Sequence, residues 1–322
     1  MKLSDFLFHE EPGITLYCGD CREILPLLEP VDLVLTSPPY NLGTTTGGGF
    51  VDIAKLEAKK IKRLEAAVRG HYPVDARLNA RGGAGKWSGG ALAKGYGVHG
   101  DAMPHEDYVA WQKQTLTALW NVLTPTGAIY YNHKARVLDG LLVTPVEEYV
   151  PRQLRPFVRQ EVIWARAGGV NFSPAFYVPT HERIVIIARR DFRLRDKAAS
   201  GAGDVWYIPQ APDPEHPAPF PLTLATRAIE TTPAGLVLDP FVGSGTTLLA
   251  AKLLNRRAIG IEIEEKYCHI AVKRLRQEVL MSMMCRMLPT TALQRYGRSD
   301  CKNSRVGNFK CRAVPGAKLT HR

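Results

Sequence analysis

A doubly wound α/β fold with a mostly parallel sheet is expected from three features of this chain of 322 residues. Short runs rich in Val, Ile and Leu alternate with stretches of helical period, most clearly between residues 236 and 280. That alternation is the mark of strand–helix–strand units. One apolar run, 236–241, empties into a glycine turn, Gly243-Ser244-Gly245, ahead of a helix. Another, 31–35, is followed by Pro38 and Pro39, which have no N–H to give a sheet.

Taken in order, residues 14–18 read as a short strand, 21–28 as a helical turn or two, and 31–35 as a buried strand. From 44 to 100 the composition changes to glycine-rich flanks around KLEAKKIKRLEAAVR, a run of strong helix formers. This segment reads as a basic, mobile insertion. Residues 105–123 have the period of an amphipathic helix, and 127–132, 158–165 and 183–188 are strand candidates. The polar, then proline-rich stretch 191–221 reads as a connector. A strand at 236–241, a helix at 246–255, a strand at 258–263 and a helix at 265–280 close the fold. The organisation expected is one domain over 1–280 and a basic, disordered tail over 281–322.

Charge separates those two parts. Of the net charge of +11, the tail carries nine Lys and Arg against the single acid Asp300. The body is close to neutral, and such a tail suits a polyanionic partner. No apolar run approaches the roughly 18 residues that a membrane span needs. The acidic start MKLSDFLFHEEPG is unlike a signal peptide, so the cytoplasm is the expected location. Cysteines stand at 18, 21, 268, 285, 301 and 311, and Cys18-x-x-Cys21 has neither a second pair nor a histidine at zinc spacing. No metal site is expected.

The segment from Leu236 to Thr247 is a strand, a glycine turn and a helix start. Gly243 and Gly245 allow close backbone approach to a ligand, and Glu262, nineteen residues after Gly243, ends the next strand. A carboxylate there can accept hydrogen bonds from both hydroxyls of a ribose. A P-loop would need Gly-Lys-Ser/Thr, and Thr246 follows Gly245; a dinucleotide turn would want a third glycine where Leu248 stands. A nucleoside ligand without that phosphate grip fits best.

Ser37-Pro38-Pro39-Tyr40 ends the strand 31–35, at the carboxyl edge where open α/β sheets bind ligands. Two prolines stiffen the backbone, so that the Ser37 hydroxyl and the Pro38 carbonyl can serve as acceptors while Tyr40 offers an aromatic face. These parts suit a planar ring bearing an amino group. Hydrogen bonds to the amine would aim its lone pair at an electrophile.

Thr36–Tyr40, followed 199 residues later by Asp239-Pro240-Phe241-x-Gly243-Ser244-Gly245, resembles the DNA amino-methyltransferases of the beta arrangement, in which the catalytic motif precedes the cofactor motif. The likeness spans nearly all of 12–280. Cys18-Gly19-Asp20, Asn171-Phe172-Ser173-Pro174, His181-Glu182, the stretch from His216 to Pro221 and Gly85-Lys86-Trp87-Ser88-Gly89-Gly90 fit the same pattern. The resemblance implies a seven-stranded-type methyltransferase sheet with permuted motif order and S-adenosyl-L-methionine as cofactor. Asp20, Asp239, Phe241, Gly243, Gly245 and Glu262 would bind that cofactor, and Ser37, Pro38, Pro39 and Tyr40 would form the catalytic motif. It also implies double-stranded DNA as partner, with the target base flipped out because its amino nitrogen is unreachable in the stacked duplex. Methyl transfer would be direct, with no covalent intermediate, and C5 chemistry is excluded by the lack of a Pro-Cys arrangement.

Ser37 at the first motif position leans the expected target to N4 of cytosine over N6 of adenine. DNA contacts are expected from the insertion, through Lys59, Lys60, Arg63, Arg81 and Lys86, with Trp87 to stack on a base. An amine methyltransferase acting on RNA or on a protein glutamine is one rival, although such enzymes usually carry Asn-Pro-Pro-Tyr after the cofactor motif. A non-catalytic DNA-binding module is the other. A cognate restriction endonuclease or none, and a monomer or a homodimer, are alike compatible with the sequence.

Overall fold

The computed structural model describes residues 1–41, 103–138, 141–166, 177, 179–210 and 221–287. Two compact units divide the chain, Met1–Leu280 and Met281–Arg322, and the account below concerns the first. The insertion residues Lys59, Lys60, Arg63, Arg81, Lys86 and Trp87, the stretch Asn171–Pro174, residues 216–220 and the tail from 288 lie outside the described residues.

The strands are β1 Leu7–Glu11, β2 Ile14–Cys18, β3 Val31–Thr36, β4 Leu123–His133, β5 Arg136–Leu138, β6 Leu141–Val143, β7 Val158–Ala165, β8 His181–Ala188, β9 Val205–Tyr207, β10 Leu236–Asp239 and β11 Arg257–Glu262. Nine of them form one sheet in the order β1-β2-β11-β10-β3-β4-β8-β7-β9, and β5 with β6 makes a separate hairpin. The run from β2 through β11, β10 and β3 to β4 is parallel throughout. β8 runs antiparallel to both β4 and β7. The seven strands from β2 to β7 in this order form the expected sheet, and β1 and β9 extend it at its two edges.

Both faces of the sheet are covered, which is why its strands read as near-continuous apolar runs. Leu33, Leu35, Tyr130, Ile184, Ile186 and Val237 face one core. Their sequence neighbours Val34, Tyr131, Val185, Ile187 and Leu238 face the other. The helices are α1 Cys21–Ile24, α2 His105–Asn121, α3 Pro145–Glu148, α4 Lys197–Ser200, α5 Leu222–Glu230, α6 Thr246–Leu253 and α7 Glu265–Met287. Helix α2 covers one face with Tyr108, Trp111, Leu116, Leu119 and Trp120. Helices α5, α6 and α7 cover the other, through Leu224, Ile229, Leu248 and Leu275 among others. The connection that follows β10 therefore lies on one side and the helix that precedes β4 on the other. Between β10 and β3 the winding reverses, and open α/β sheets bind ligands at such a reversal.

Several sequence expectations need correction. The stretch 191–221 is more than a connector, since it holds α4 and β9, and β9 pairs in parallel with β7. The helix expected over 105–123 stops at Asn121, and β4 starts at Leu123, four residues before the strand expected there. β1, the β5–β6 hairpin and α5 were not foreseen. β1 is LFHEE, an edge strand with much of its surface exposed, and its acids obscure any apolar alternation. β10 ends at Asp239 because Pro240 follows, so Phe241 belongs to the turn.

Candidate active site

The carboxyl ends of β2, β11, β10, β3 and β4 share one edge of the sheet. The antiparallel β8 brings its amino end to the same edge, with Asn132 of β4 opposite Ile184 and His133 opposite Arg183.

At the β10 turn, Val242 donates its N–H to the Ile261 carbonyl at 3.0 Å. Glu262 is buried, and both of its oxygens already accept backbone protons: Oε2 from Gly243 N–H at 2.8 Å, and Oε1 from Glu264 N–H at 3.0 Å. Each oxygen keeps a second lone pair, so the carboxylate is oriented without being exhausted. Burial is the main influence on its acidity and pushes its pKa up to about 7, against the two N–H donors. Gly19 N–H donates to the Glu262 carbonyl at 2.9 Å, which sets Asp20 beside the same turn. Asp20 caps α1 by accepting Arg22 N–H at 2.9 Å, and its other oxygen meets the Arg22 guanidinium.

Asp239 and Gly245 have structural reasons that the sequence reading did not supply. Asp239 is 2% exposed and bonded on all sides by protein: Oδ1 accepts from Thr36 Oγ1 at 2.8 Å and Phe241 N–H at 3.1 Å, and Oδ2 from Thr247 Oγ1 at 2.6 Å. Desolvation raises its pKa to about 6 although these donors pull the other way. Gly245 has φ +85°, and a Cβ built there would lie 2.9 Å from Ala271 Cβ. The glycine is thus required by its left-handed backbone and by the contact with α7. Arg274 of α7 braces the same turn through the Ser244 carbonyl at 2.8 Å. Phe241 is half-buried, its ring 5.4 Å from that of Trp111.

Where β3 ends, Pro38 is buried and Ser37, Pro39 and Tyr40 are half-buried. Ser37 Oγ and Tyr40 Oη are 3.0 Å apart. Tyr40 donates to Glu182 Oε2 at 2.8 Å, and Asn132 Nδ2 lies 2.8 Å from that same oxygen, 3.0 Å from Tyr40 Oη and 3.3 Å from Ser37 Oγ. Glu182 Oε1 pairs with Arg166 at 3.1 Å. Burial first, then the Glu182 charge, holds the Tyr40 pKa well above its ordinary value, so the phenol keeps its proton. His133 packs against the Tyr40 ring with centroids 4.8 Å apart.

The loop backbone is held separately. Tyr108 donates its hydroxyl to the Pro39 carbonyl at 2.7 Å, and Arg136 donates to the Tyr40 carbonyl at 3.0 Å. Asn41 fixes the exit through a reciprocal pair with the Met103 backbone, at 2.9 and 2.8 Å. Burial lowers the His133 pKa to about 3, so its ring is neutral at working pH. Asn132, Glu182, Tyr108 and Arg136 were not given roles from the sequence. The available signal was Tyr130-Tyr131-Asn132-His133, where an apolar strand turns polar as it reaches the carboxyl edge.

Comparison with known proteins gives the family. Residues 31–273 match the family described as DNA methylase, the N6 and N4 methyltransferases, and the chain belongs to that family. Among relatives, the Type II methyltransferase M.BglII of Bacillus subtilis is 29% identical over 215 residues, 55% of this chain and 59% of that protein. The chain thus spans somewhat more than half the length of that relative. M.ScaI of Streptomyces caespitosus is 26% identical over 309 residues and is matched over 84% of both chains. The PvuII DNA methyltransferase, described as cytosine-N4-specific, superposes with a TM-score of 0.53 at 17% identity, over 81% of this chain and 85% of that one. That likeness establishes the shared fold.

Proposed function

We propose that this chain transfers a methyl group from S-adenosyl-L-methionine to the exocyclic amino group of a base flipped out of double-stranded DNA, N4 of cytosine being favoured over N6 of adenine. One observation carries the reading: Ser37 and Tyr40 stand at the end of β3, while the Gly243 turn and Glu262 stand at the ends of the adjacent β10 and β11. A nucleoside on one side of the switch point and a planar amine on the other would meet across a single edge.

The cofactor supplies an electrophilic methyl group when bound. The remaining work falls to the chain. Glu262 would accept hydrogen bonds from the ribose hydroxyls, Asp20 would contact the adenine, as the family resemblance implies, and the Gly243 turn would allow close approach. Ser37 and the Pro38 carbonyl accept the two N–H bonds of the target amine and keep its lone pair out of the ring. Tyr40 holds Ser37 in place. Tyr108 and Arg136 occupy the next two carbonyls of the loop, at Pro39 and Tyr40, which fixes the backbone that presents the Pro38 carbonyl. Ser37 at the first motif position is the reason for favouring cytosine.

The basic insertion and the basic tail supply cations for phosphate contacts in this reading. Neither a restriction endonuclease nor a second copy of the chain is needed for it. Cytoplasmic DNA is the natural substrate, and no described helix is long and apolar enough to cross a membrane. Incubation with tritiated cofactor and DNA, followed by mass spectrometry of the released nucleosides, tests the proposal. N4-methylcytosine is the expected product, N6-methyladenine would reassign the base, and methylated RNA or protein with unmodified DNA would overturn the reading.

A further inference from the structure

Glu182 lies outside both sequence motifs, yet it accepts the hydroxyl proton of Tyr40, the partner of Ser37. It is 5% exposed and Asn132 is 1% exposed. The directions of the hydrogen bonds around it can be worked out by counting protons. A carboxylate can only accept, so the single hydroxyl proton of Tyr40 is committed to Glu182 Oε2 at 2.8 Å. The Ser37–Tyr40 contact of 3.0 Å is then filled by the one proton of Ser37. Asn132 must present its amide nitrogen to the cluster, because its carbonyl oxygen at 2.8 Å from Glu182 would be repelled. Ser37 is left with no proton for a ligand, and its oxygen offers lone pairs only.

We infer that Glu182 is a positioning residue that sets the direction of the chain Ser37→Tyr40→Glu182 and so makes Ser37 an obligate acceptor. The inference rests on the function proposed above. Its consequence is specificity for the chemical class of the target. An exocyclic amine can donate to Ser37, whereas a keto oxygen at the same place would meet a second acceptor. Arg166, 3.1 Å from Glu182 Oε1, compensates the buried charge and also fixes which oxygen faces Tyr40. Discrimination between amino and keto bases would then come from a residue that need not touch the base.

Glu182→Gln tests this with almost no change of shape. Arg166 requires an acceptor, so the glutamine oxygen stays with Arg166 and its amide nitrogen faces Tyr40. Asn132, whose Nδ2 lies 2.8 Å from that position, must then turn its carbonyl to the new donor, and the chain can reverse: Tyr40 accepts from the glutamine, donates to Ser37, and frees the Ser37 proton to point at the ligand. Equilibrium binding would be measured on duplexes carrying, at the mapped target position, cytosine against uracil or adenine against hypoxanthine. The amino-over-keto preference of the wild type should fall about tenfold or more in Glu182→Gln, the size of effect expected when a buried acceptor becomes a donor. Cofactor affinity should stay unchanged and the single-turnover methylation rate should drop. Tyr40→Phe, which cuts the chain, should lower the same preference, and adding Glu182→Gln to it should change the ratio much less than it does when Tyr40 is present, the remaining route being the 3.3 Å contact of Asn132 with Ser37. It also serves if Glu182→Gln fails to fold. A wild type that methylates DNA, with variants that keep its amino-over-keto ratio, overturns the role of Glu182. A wild type that neither methylates nor binds DNA overturns the proposed function instead.

Discussion

Thr36 Oγ1 donates to Asp239 Oδ1 at 2.8 Å, joining residues 203 positions apart in the sequence. Thr36 is the last residue of β3 and Asp239 the last of β10, so the bond ties the strand that carries Ser37 and Tyr40 to the strand that carries the glycine turn. Asp239 also holds that turn through Phe241 N–H and α6 through Thr247. The spacing between the two candidate half-sites is therefore set from inside the sheet. Thr36→Val keeps the shape and removes the donor, leaving Asp239 Oδ1 short of a partner in a buried place. A loss of about 1–3 kcal/mol is expected, read by urea unfolding. Asp239 already titrates near 6 because of its burial, and losing a donor to its anion raises that value further. The deficit should thus be smaller in acid and larger above neutrality; a deficit independent of pH would argue against the carboxylate as its source.

Ser37→Ala and Tyr40→Ala should each abolish methyl transfer while cofactor binding survives. In the proposed function Ser37 meets the base and Tyr40 holds Ser37 in place, and neither bonds to the Gly243–Glu262 turn. Isothermal titration with S-adenosyl-L-methionine and a tritium-transfer assay on the same preparations separate the two properties. Wild-type turnover in both variants would remove the site assignment.

What was legible in the sequence followed a physical rule. Elements buried on both faces announced themselves as apolar runs, and β2 and β7 were read with the bounds the structure gives. Ser37–Tyr40 and Gly243–Gly245 were legible because proline and glycine at fixed spacing constrain the backbone locally. Glu182 and Asn132 were obscure for the opposite reason. They reach Tyr40 from 142 and 92 positions away, and only the antiparallel pairing of β8 with β4 brings them together. His181-Glu182 was noticed as part of a family pattern, but no local feature of the chain says that its carboxylate turns inward. β9 was missed since three residues, Val205–Tyr207, give too short a window for alternation to register.

Gly245 should tolerate no side chain. At φ +85° an L-residue is strained, and its Cβ would lie 2.9 Å from Ala271 Cβ and 3.1 Å from Ala271 Cα. Gly245→Ala should cost at least about 1 kcal/mol from the backbone alone, with the clash against α7 added. Ala271→Gly in the same chain removes the Cβ contact but not the backbone strain. In the Ala271→Gly chain the loss of melting temperature should be smaller, but not zero. The reference is Ala271→Gly alone, since a glycine inside α7 itself costs about 1 kcal/mol. Measured against it, a Gly245→Ala change without any loss would show that the φ angle is not a constraint, and a loss as large as in the Ala271 chain would show that the Ala271 Cβ does not press on this glycine.

Glu262 gives the last prediction, because its acidity couples cofactor binding to pH. Burial raises its pKa to about 7, so below that value the free protein carries mostly the carboxylic acid. Hydroxyl donors of a ribose are best met by the carboxylate. Binding should therefore expel a proton, with affinity climbing as pH rises towards 7, by up to about tenfold per unit, and levelling off above it. The contribution of Glu262 to the stability of the unliganded protein runs the other way. A carboxyl whose folded pKa exceeds its unfolded one binds more protons when native, so that contribution falls as pH rises from the ordinary Glu range through about 7. Saturating cofactor should offset that fall. Glu262→Gln should flatten the affinity profile, weaken binding by about 1–3 kcal/mol at neutral pH, and remove its own falling share from the stability profile, leaving the falling share of Asp239 and the opposing, rising share of His133. Titration calorimetry in two buffers of different ionisation enthalpy reads the proton directly. An affinity independent of pH in the wild type, with no proton released, would mean that Glu262 does not meet the cofactor.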